Sequence, residues 1–365
     1  MIMKRNILII AATVALWGVS AVDASGCTGI SLSAKDGSRV VARTVDWAAE
    51  PMESGLVVVP RGHWHRVYTS SGNYGLEFKS HYGYVGIYTE YEPFIIEGIN
   101  ESGLSAGLFF YPGHEDLLCE EPQDSERTLT DMQFVSWVLA NFSNIEQVKK
   151  ALKELDLVSL DHRIGSVHWR IAEPSGRMVV VEVVDGVPFF YENPIGVLTN
   201  SPDFPWHLKN LSNYINIAPG TLPDTFLNNK FRLQSLGHGS GMLGLPGDFT
   251  SPSRFVQAAF FSSTAPMTNT GADAVMQAFH ILNQFDIPIG AQHPEGVAPD
   301  GLPSATQFTV AIDQKSMKLY YRTAWNSNIR CVELKGIDFK KCKYQVRPLD
   351  KSRVQPVEIL KWHTS

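Results

Sequence analysis

Strand signals in this chain come in runs, and so do helix signals. That grouping limits the fold more than any other feature. A β-α-β-α alternation would build a parallel sheet with crossover helices, whereas runs build antiparallel sheets with helices packed outside. The order here is strands, helices, strands, helices, strands. The first run holds "CTGISLS", a "DGS" turn, "RVVARTVDW", "SGLVVVP" and "GYVGIYTE". It closes with "FIIEGINESGLSAGLFFYP", a strand, turn and strand around Asn100, Glu101 and Gly103. "TLTDMQFVSWVLANFSNIEQVKKALKEL" has apolar residues at helical spacing and predicts two helices, with Ser143 as the N-cap between them. A meander follows in "VHWRIAEPSGRMVVVEVVDGVPFFYE", turning at Pro174–Gly176 and Asp185–Gly186. "IGVLTNSPDFPWHLKNLSNYI" predicts a strand leading into a helix, and Ala218 to Gly247 a Gly/Pro-rich loop. "SRFVQAAFFSST" and "ADAVMQAFHILNQF" predict two more helices, and "TQFTVAIDQKSMKLYYRTAW" and "IRCVELKGI" the late strands. No linker or repeat divides the chain, so the expectation is one α+β domain.

The first residues do not belong to that domain. Lys4 and Arg5 form a basic start, Ile7 to Val22 is apolar or small throughout, and Ala24, Ser25 and Gly26 are small. This is the three-part pattern of a secretory signal. The apolar run is short for a membrane span, which needs about 20 residues. Residues 1–26 are therefore assigned to a signal peptide and 27–365 to the folded domain. The protein is expected to be exported in a bacterial setting, periplasmic or secreted, with no stable membrane insertion once the signal is removed. With 44% hydrophobic and 19% charged residues, the remainder can fill a sizeable core. Net charge is −6 with no basic stripe, which argues against nucleic acid as a partner.

Four cysteines remain to be explained: Cys27, Cys119, Cys331 and Cys342. A bridge between Cys331 and Cys342 is open on spacing, and Cys119 in "DLLCEEP" reads as an ordinary free thiol. No C-x-x-C or metal-type Cys/His spacing occurs. "HWH" at His63 to His65 alternates as on a surface strand and lacks a third ligand. The Gly-rich "GHGSGMLGLPGDF" lacks the Lys-Ser/Thr of a phosphate loop, so it is no nucleotide site.

Cys27 stands at the expected mature N-terminus. Thiolate is the reactive form, so a nucleophilic cysteine needs a base. Cleavage between Gly26 and Cys27 would supply one, because the freed α-amine is attached to the nucleophile itself. Ala24 and Gly26 are small where a signal peptidase reads. A cut after Ala24 fits equally and would leave Ser25 and Gly26 for a second step. Arg43 and Asp46 lie on the strand that pairs beside Cys27. The Arg43 charge favours a thiolate, and Asp46 can hold the amine. The plainer reading of the two is a local ion pair on a hairpin.

"CTGISLSAKDGSRVVARTVDW" resembles the opening of the choloylglycine hydrolase family, N-terminal-nucleophile amidases that include penicillin V acylases and conjugated bile salt hydrolases. "EGINESGLSAGLFF", "WVLANFSNIEQVKKAL", "IGVLTNSPDFPWHLKNLSNYI", "GLPGDFTSPSRF" and "AFHILNQFDIP" continue the resemblance in family order to about Lys335. The resemblance implies a four-layer αββα sandwich, two antiparallel sheets between helices. It implies Cys27 as nucleophile and its amine as base, with Arg43 and Asp46 the charged pair beside it. Asn200 in "LTNSP" would supply an oxyanion donor, and Arg254 in "SPSRF" would be a second arginine near the nucleophile. No metal or organic cofactor is implied. The partner is a small N-acyl amide substrate. The segment Ala218 to Phe231 implies a homotetramer.

One position departs from the pattern. Many bile salt hydrolases carry Asn after "AGL" and some penicillin V acylases carry Tyr, where this chain has Phe109. Its backbone N–H still suits an oxyanion hole, and its ring, with Trp47, suits an apolar acyl group, although Phe109 could equally be core and a steroid acyl group is apolar as well. Together with "EPMESGLVVVPRG", this leans the expectation to a penicillin V acylase-like pocket, with conjugated bile salt hydrolysis as the alternative. From another class, "ASGC" resembles a lipobox, so a lipid-anchored binding protein acylated at Cys27 is the distant alternative.

Overall fold

The "KDGS" turn closes the hairpin expected of it. Strand β1 (Cys27–Ser33) pairs antiparallel with β2 (Arg39–Asp46), Cys27 opposite Val45, and Gly37 supplies the positive φ of 85° that the turn requires. A computed structural model describes residues 26–47, 52–114, 125–161, 165–288, 290–292 and 306–362. The signal segment and Cys119 lie outside the described residues.

After the hairpin come β3 (Ser54–Val59), β4 (Trp64–Tyr68), β5 (Tyr74–Lys79), β6 (Tyr84–Thr89), β7 (Tyr91–Asn100), β8 (Ser105–Phe110) and the short β9 (Thr128–Thr130). Helices α1 (Phe134–Asn141) and α2 (Ile145–Leu152) follow, then the short β10 (Asp156–Val158) and the meander β11 (Val167–Ala172), β12 (Met178–Val184) and β13 (Val187–Glu192). Helix α3 (Phe204–Asn210), the small hairpin β14 (Thr225–Leu227) and β15 (Phe231–Leu233), α4 (Ser251–Thr264) and α5 (Gly271–Leu282) come next. Strands β16 (Thr306–Asp313), β17 (Lys318–Thr323), β18 (Asn326–Glu333) and β19 (Gln345–Pro348) complete the described chain.

Two large sheets result, in the strand orders β1-β2-β16-β17-β18 and β13-β12-β11-β8-β7-β6-β3-β19. All their pairings are antiparallel. Side chains alternate between the faces of a strand. On β2, Val41 and Val45 turn toward the eight-stranded sheet and join Ile99, Leu108 and Val310 in one core. Val40 and Ala42 turn the other way and meet Phe255 and Ala258 of α4 and Ala274 and Ala278 of α5. Helix α1 covers β7 and β8 on the far side. The layers are helix, sheet, sheet, helix. Strand β2 is covered on both faces, so "VVARTV" lacks the clean alternation of a half-exposed strand.

Several local expectations are corrected. The cap of α2 is Asn144, which accepts the Gln147 N–H at 3.0 Å, because a capping side chain must reach the third helical residue. Ser143 precedes it, and its own N–H bonds Gln147 Oε1 at 2.9 Å. "IGVLTN" forms no full strand and makes only a bridge, Leu198 with Gly29. His65 points inward, bonded to Ser80 and stacked on Phe78, while Trp64 carries the exposure. Cys331 and Cys342 are free thiols. The β5 partner of the "HWH" strand and the β14–β15 hairpin had no counterpart in the sequence reading. No helix among the described residues is long and apolar enough to cross a membrane.

Candidate active site

Cys27 opens β1, an edge strand of the five-stranded sheet, yet it is buried, 5% exposed. Its backbone nitrogen donates to Asn200 Oδ1 at 2.8 Å. Arg254, reaching in from α4, donates to the Cys27 carbonyl at 2.5 Å, to Thr28 Oγ1 at 2.8 Å and to Asn200 Oδ1 at 2.7 Å. A guanidinium has only donors, so the Asn200 atom facing it must be the oxygen. That fixes the amide: Nδ2 faces the other way and donates to the Phe110 carbonyl at 2.7 Å. Asn200 is held from behind as well. Its N–H donates to Ser251 Oγ at 3.0 Å, and its carbonyl accepts from His207 Nε2 at 2.9 Å.

Gly26 is packed into the same site. Its carbonyl accepts the Asp46 N–H at 2.9 Å. A Cβ on Gly26 would lie 2.9 Å from Arg254 Nη2 and 3.5 Å from Asp46 Oδ2. The residue before the cysteine therefore has to be glycine for the arginine to stay where it is.

Arg43 and Asp46 both flank this site but do not pair with each other. They stand three residues apart on β2, and an odd spacing on a strand puts two side chains on opposite faces. Asp46 faces the helix layer, where Thr306 Oγ1 donates to it at 2.7 Å and Thr44 Oγ1 at 3.1 Å. Burial pushes its carboxyl up to about 7, against the pull of the Arg254 charge and those hydroxyls. Arg43 faces the space between the sheets, donates to the Ile96 and Leu108 carbonyls, and lies 3.8 Å from Glu97.

The ring of Phe109 is fully buried, with Arg43 3.7 Å from its centroid on one side and Arg170 5.5 Å on the other. Gly29 lies beneath it, where a Cβ would meet the ring at 2.8 Å. Phe109 is thus a packing residue, and its expected place as a pocket wall is corrected. Its backbone is corrected too. Tyr111 N–H bonds the Ser166 carbonyl on the β11 side, and Phe109 is opposite His168 in the register. By strand alternation the Phe109 N–H also turns toward β11. The N–H of Phe110 turns the other way, the side on which Asn200 meets the Phe110 carbonyl. The partly exposed ring of Phe110 meets Trp47 edge-on, centroids 6.2 Å apart. The aromatic partner of Trp47 is therefore Phe110, one residue later than expected.

The sequence reading missed Thr44, Thr306, Ser251, Phe110, His168 and His207. Thr44 was within reach, since it sits two residues from Asp46 on the same face. Phe110 follows from the strand period once the turn at Gly103 sets the register. Thr306, Ser251 and the histidines come from distant segments. Among the described residues no group of His, Cys, Asp or Glu could hold a metal ion.

The raised carboxyl gives a testable pH dependence. In the unfolded chain Asp46 would ionise near 3.9, whereas in the fold it holds its proton to about 7. Between these values unfolding releases a proton, so the Asp46 contribution to stability falls as pH rises from about 4 to about 7 and is level above. In chain that retains Gly26, Asp46→Asn is expected to remove that slope, about 1.4 kcal/mol per pH unit over the window. Urea midpoints across pH 4 to 8 measure it. An unchanged slope would show that Asp46 is already ionised in the fold.

Residues 27–346 match the family described as linear amide C–N hydrolases, choloylglycine hydrolase family. The chain is 31% identical over 329 residues to a bile salt hydrolase/transferase of Clostridium perfringens, covering 87% of this chain and 97% of that one. A penicillin V acylase of Pectobacterium atrosepticum is 23% identical over 327 residues, covering 82% and 78%. Among solved structures, a variant of the conjugated bile acid hydrolase from Clostridium perfringens superposes with a TM-score of 0.78 at 27% identity, over 92% of this chain and 100% of that one. The four layers described above are those of this N-terminal-nucleophile hydrolase fold.

Proposed function

Because the chain belongs to the choloylglycine hydrolase family of linear amide C–N hydrolases, we propose that it cleaves conjugated bile salts with Cys27 as an N-terminal nucleophile. One observation carries the assignment of Cys27: its backbone nitrogen, its carbonyl and the Asn200 amide are all tied to Arg254 or to each other. Once Gly26 is gone, that nitrogen is the α-amine, still beside Asn200 Oδ1, with Asp46 lining the space that Gly26 leaves. The amine takes the thiol proton, and the thiolate attacks the substrate carbonyl. Asn200 Nδ2 and the Phe110 N–H hold the oxyanion until the C–N bond breaks. The α-ammonium gives its proton to the departing amine, and water then hydrolyses the thioester, releasing the acyl group as a carboxylic acid and restoring the thiol. Losing one such preorganised donor typically costs about 10²–10³ in rate. Arg43 and Arg254 supply positive charge around the sulfur.

The substrate choice departs from the sequence-based lean. The relatives named bile salt hydrolase are more similar to this chain than the penicillin V acylase, and the ring that suggested an acylase pocket is packed in the core. A hydrophobic pocket separates groups that differ by one methylene by only about 10- to 200-fold. We expect kcat/KM for glycocholate and taurocholate to exceed that for penicillin V by at least about tenfold. The reverse order in side-by-side turnover would return the chain to the acylase reading.

The lipid-anchored reading is disfavoured by position, since Cys27 is a buried residue paired along its length in a sheet. Export with removal of the signal remains part of the proposal. The intact mass of the mature protein tests it: a chain starting at unmodified Cys27 supports the nucleophile, and a diacylglyceryl mass on Cys27 refutes it. The proposal includes a homotetramer. Its support is the projecting 218–247 segment, on which Phe226, Phe231 and Leu236 are exposed.

A further inference from the structure

The Thr199–Asn200 segment rests on two histidines, His168 at the Thr199 carbonyl and His207 at the Asn200 carbonyl. Burial holds His207 down to about 4, so it is a neutral ring that donates to the Asn200 carbonyl from Nε2. Its Nδ1 has no partner among the described residues, as a neutral ring allows. His168, on β11, is fully buried and faces an acceptor at each nitrogen. Nδ1 lies 3.1 Å from Glu182 Oε1, and Nε2 lies 3.1 Å from the Thr199 carbonyl. With Glu182 ionised, both contacts are hydrogen bonds only when both nitrogens carry hydrogen, whereas a protonated Glu182 would itself donate to Nδ1. Glu182, fully buried on β12, also accepts the N–H of Phe204, the first residue of α3, at 2.9 Å. One carboxylate–histidine pair therefore ties down both ends of the stretch that contains Asn200. The His168 ring is clamped by Tyr111, stacked at 4.4 Å, and by the edge of Phe109 at 6.2 Å.

The titratable and charged groups around the pair come from five elements. Tyr111 and His114 follow β8, and Arg170 shares β11 with His168. Tyr191 is on β13, Asp203 caps α3 and His207 lies within it, and Arg254 is on α4. None of these offers His168 a third acceptor. We propose that His168 and Glu182 are a positioning pair, the ring doubly protonated, that sets the direction of the Asn200 amide for oxyanion stabilisation. The kinetic part of this inference rests on the hydrolase reading; the protonation part does not.

Nitrogen NMR of histidine-labelled full-length mature protein at about pH 7 tests the protonation. The expected spectrum shows one ring with two N–H groups, lost in His168→Gln and reduced to a single N–H in Glu182→Gln. Glu182→Gln is also expected to lower kcat on glycocholate about 10- to 100-fold, with KM within about threefold, as misplacement of a catalytic donor does. If Glu182→Gln does not fold, His168→Gln carries the kinetic arm, since its amide keeps a donor for Thr199 without the charge. A His168 ring with one N–H in the wild-type protein overturns the proposal, and so does an unchanged kcat in a variant whose ring has lost its second proton. If wild-type protein hydrolyses no N-acyl amide, the hydrolase reading fails while the spectrum still judges the pair.

Discussion

Cys27→Ala should leave the fold intact and abolish amide hydrolysis. Removing the nucleophile of a comparable hydrolase lowers kcat about 10⁶-fold, and what is left reflects binding and the oxyanion donors. The fold should tolerate the change because the Cys27 contacts that hold the site are backbone contacts, to Asn200 and Arg254. Cys27→Ser should retain slow turnover, since the amine base and the donors remain and only the attacking atom is weaker. The measurement is kcat on glycocholate, with thermal midpoints as a control on folding. Ordinary turnover by the alanine variant would remove Cys27 from the mechanism altogether.

The second large effect is structural as well as catalytic. Arg254 is buried and binds the Phe249 and Cys27 carbonyls, Thr28 and Asn200, while its charge offsets the burial of Asp46. Arg254→Ala deletes four contacts and leaves a carboxyl in the interior without its cation. Breaking one side of a buried charge pair typically costs about 3–5 kcal/mol. It also frees the Asn200 amide to rotate, so kcat should drop by about 10²–10³ in whatever protein still folds. Adding Asp46→Asn should recover part of the stability and none of the activity, with a coupling of about 0.5–3 kcal/mol in the double-mutant cycle. Simple additivity of the two stability losses would mean that Asp46 and Arg254 do not sense each other.

Much of this site could be read from sequence, and the pattern of misses has a physical logic. The Cys27 hairpin was legible because its turn and its two strands are local in sequence. Asn200 and Arg254 came from resemblance, since nothing in "LTNSP" or "SPSRF" says that they meet 54 residues apart. Two errors came from periodicity not followed to its end. Arg43 and Asp46 were treated as neighbours although their spacing on a strand forbids it. Phe109 was given a role that the proposed mechanism assigns one step along β8, to Phe110. Both could have been avoided from the sequence. The His168–Glu182 pairing was within reach too, since the turn at Pro174–Gly176 sets a register that brings the two opposite each other; what the meander cannot show is that Thr199 is laid across them.

Gly26 has a consequence for timing. Its peptide bond to Cys27 occupies the site with Arg254, Asn200 and Asp46 already arranged around it. A peptide nitrogen has no basic lone pair, so on the Cys27 mechanism a chain that still carries Gly26 is latent. If the chain is exported as proposed, it would cross the membrane silent and begin work only once every residue before Cys27 has been removed, with no inhibitor needed to restrain it on the way.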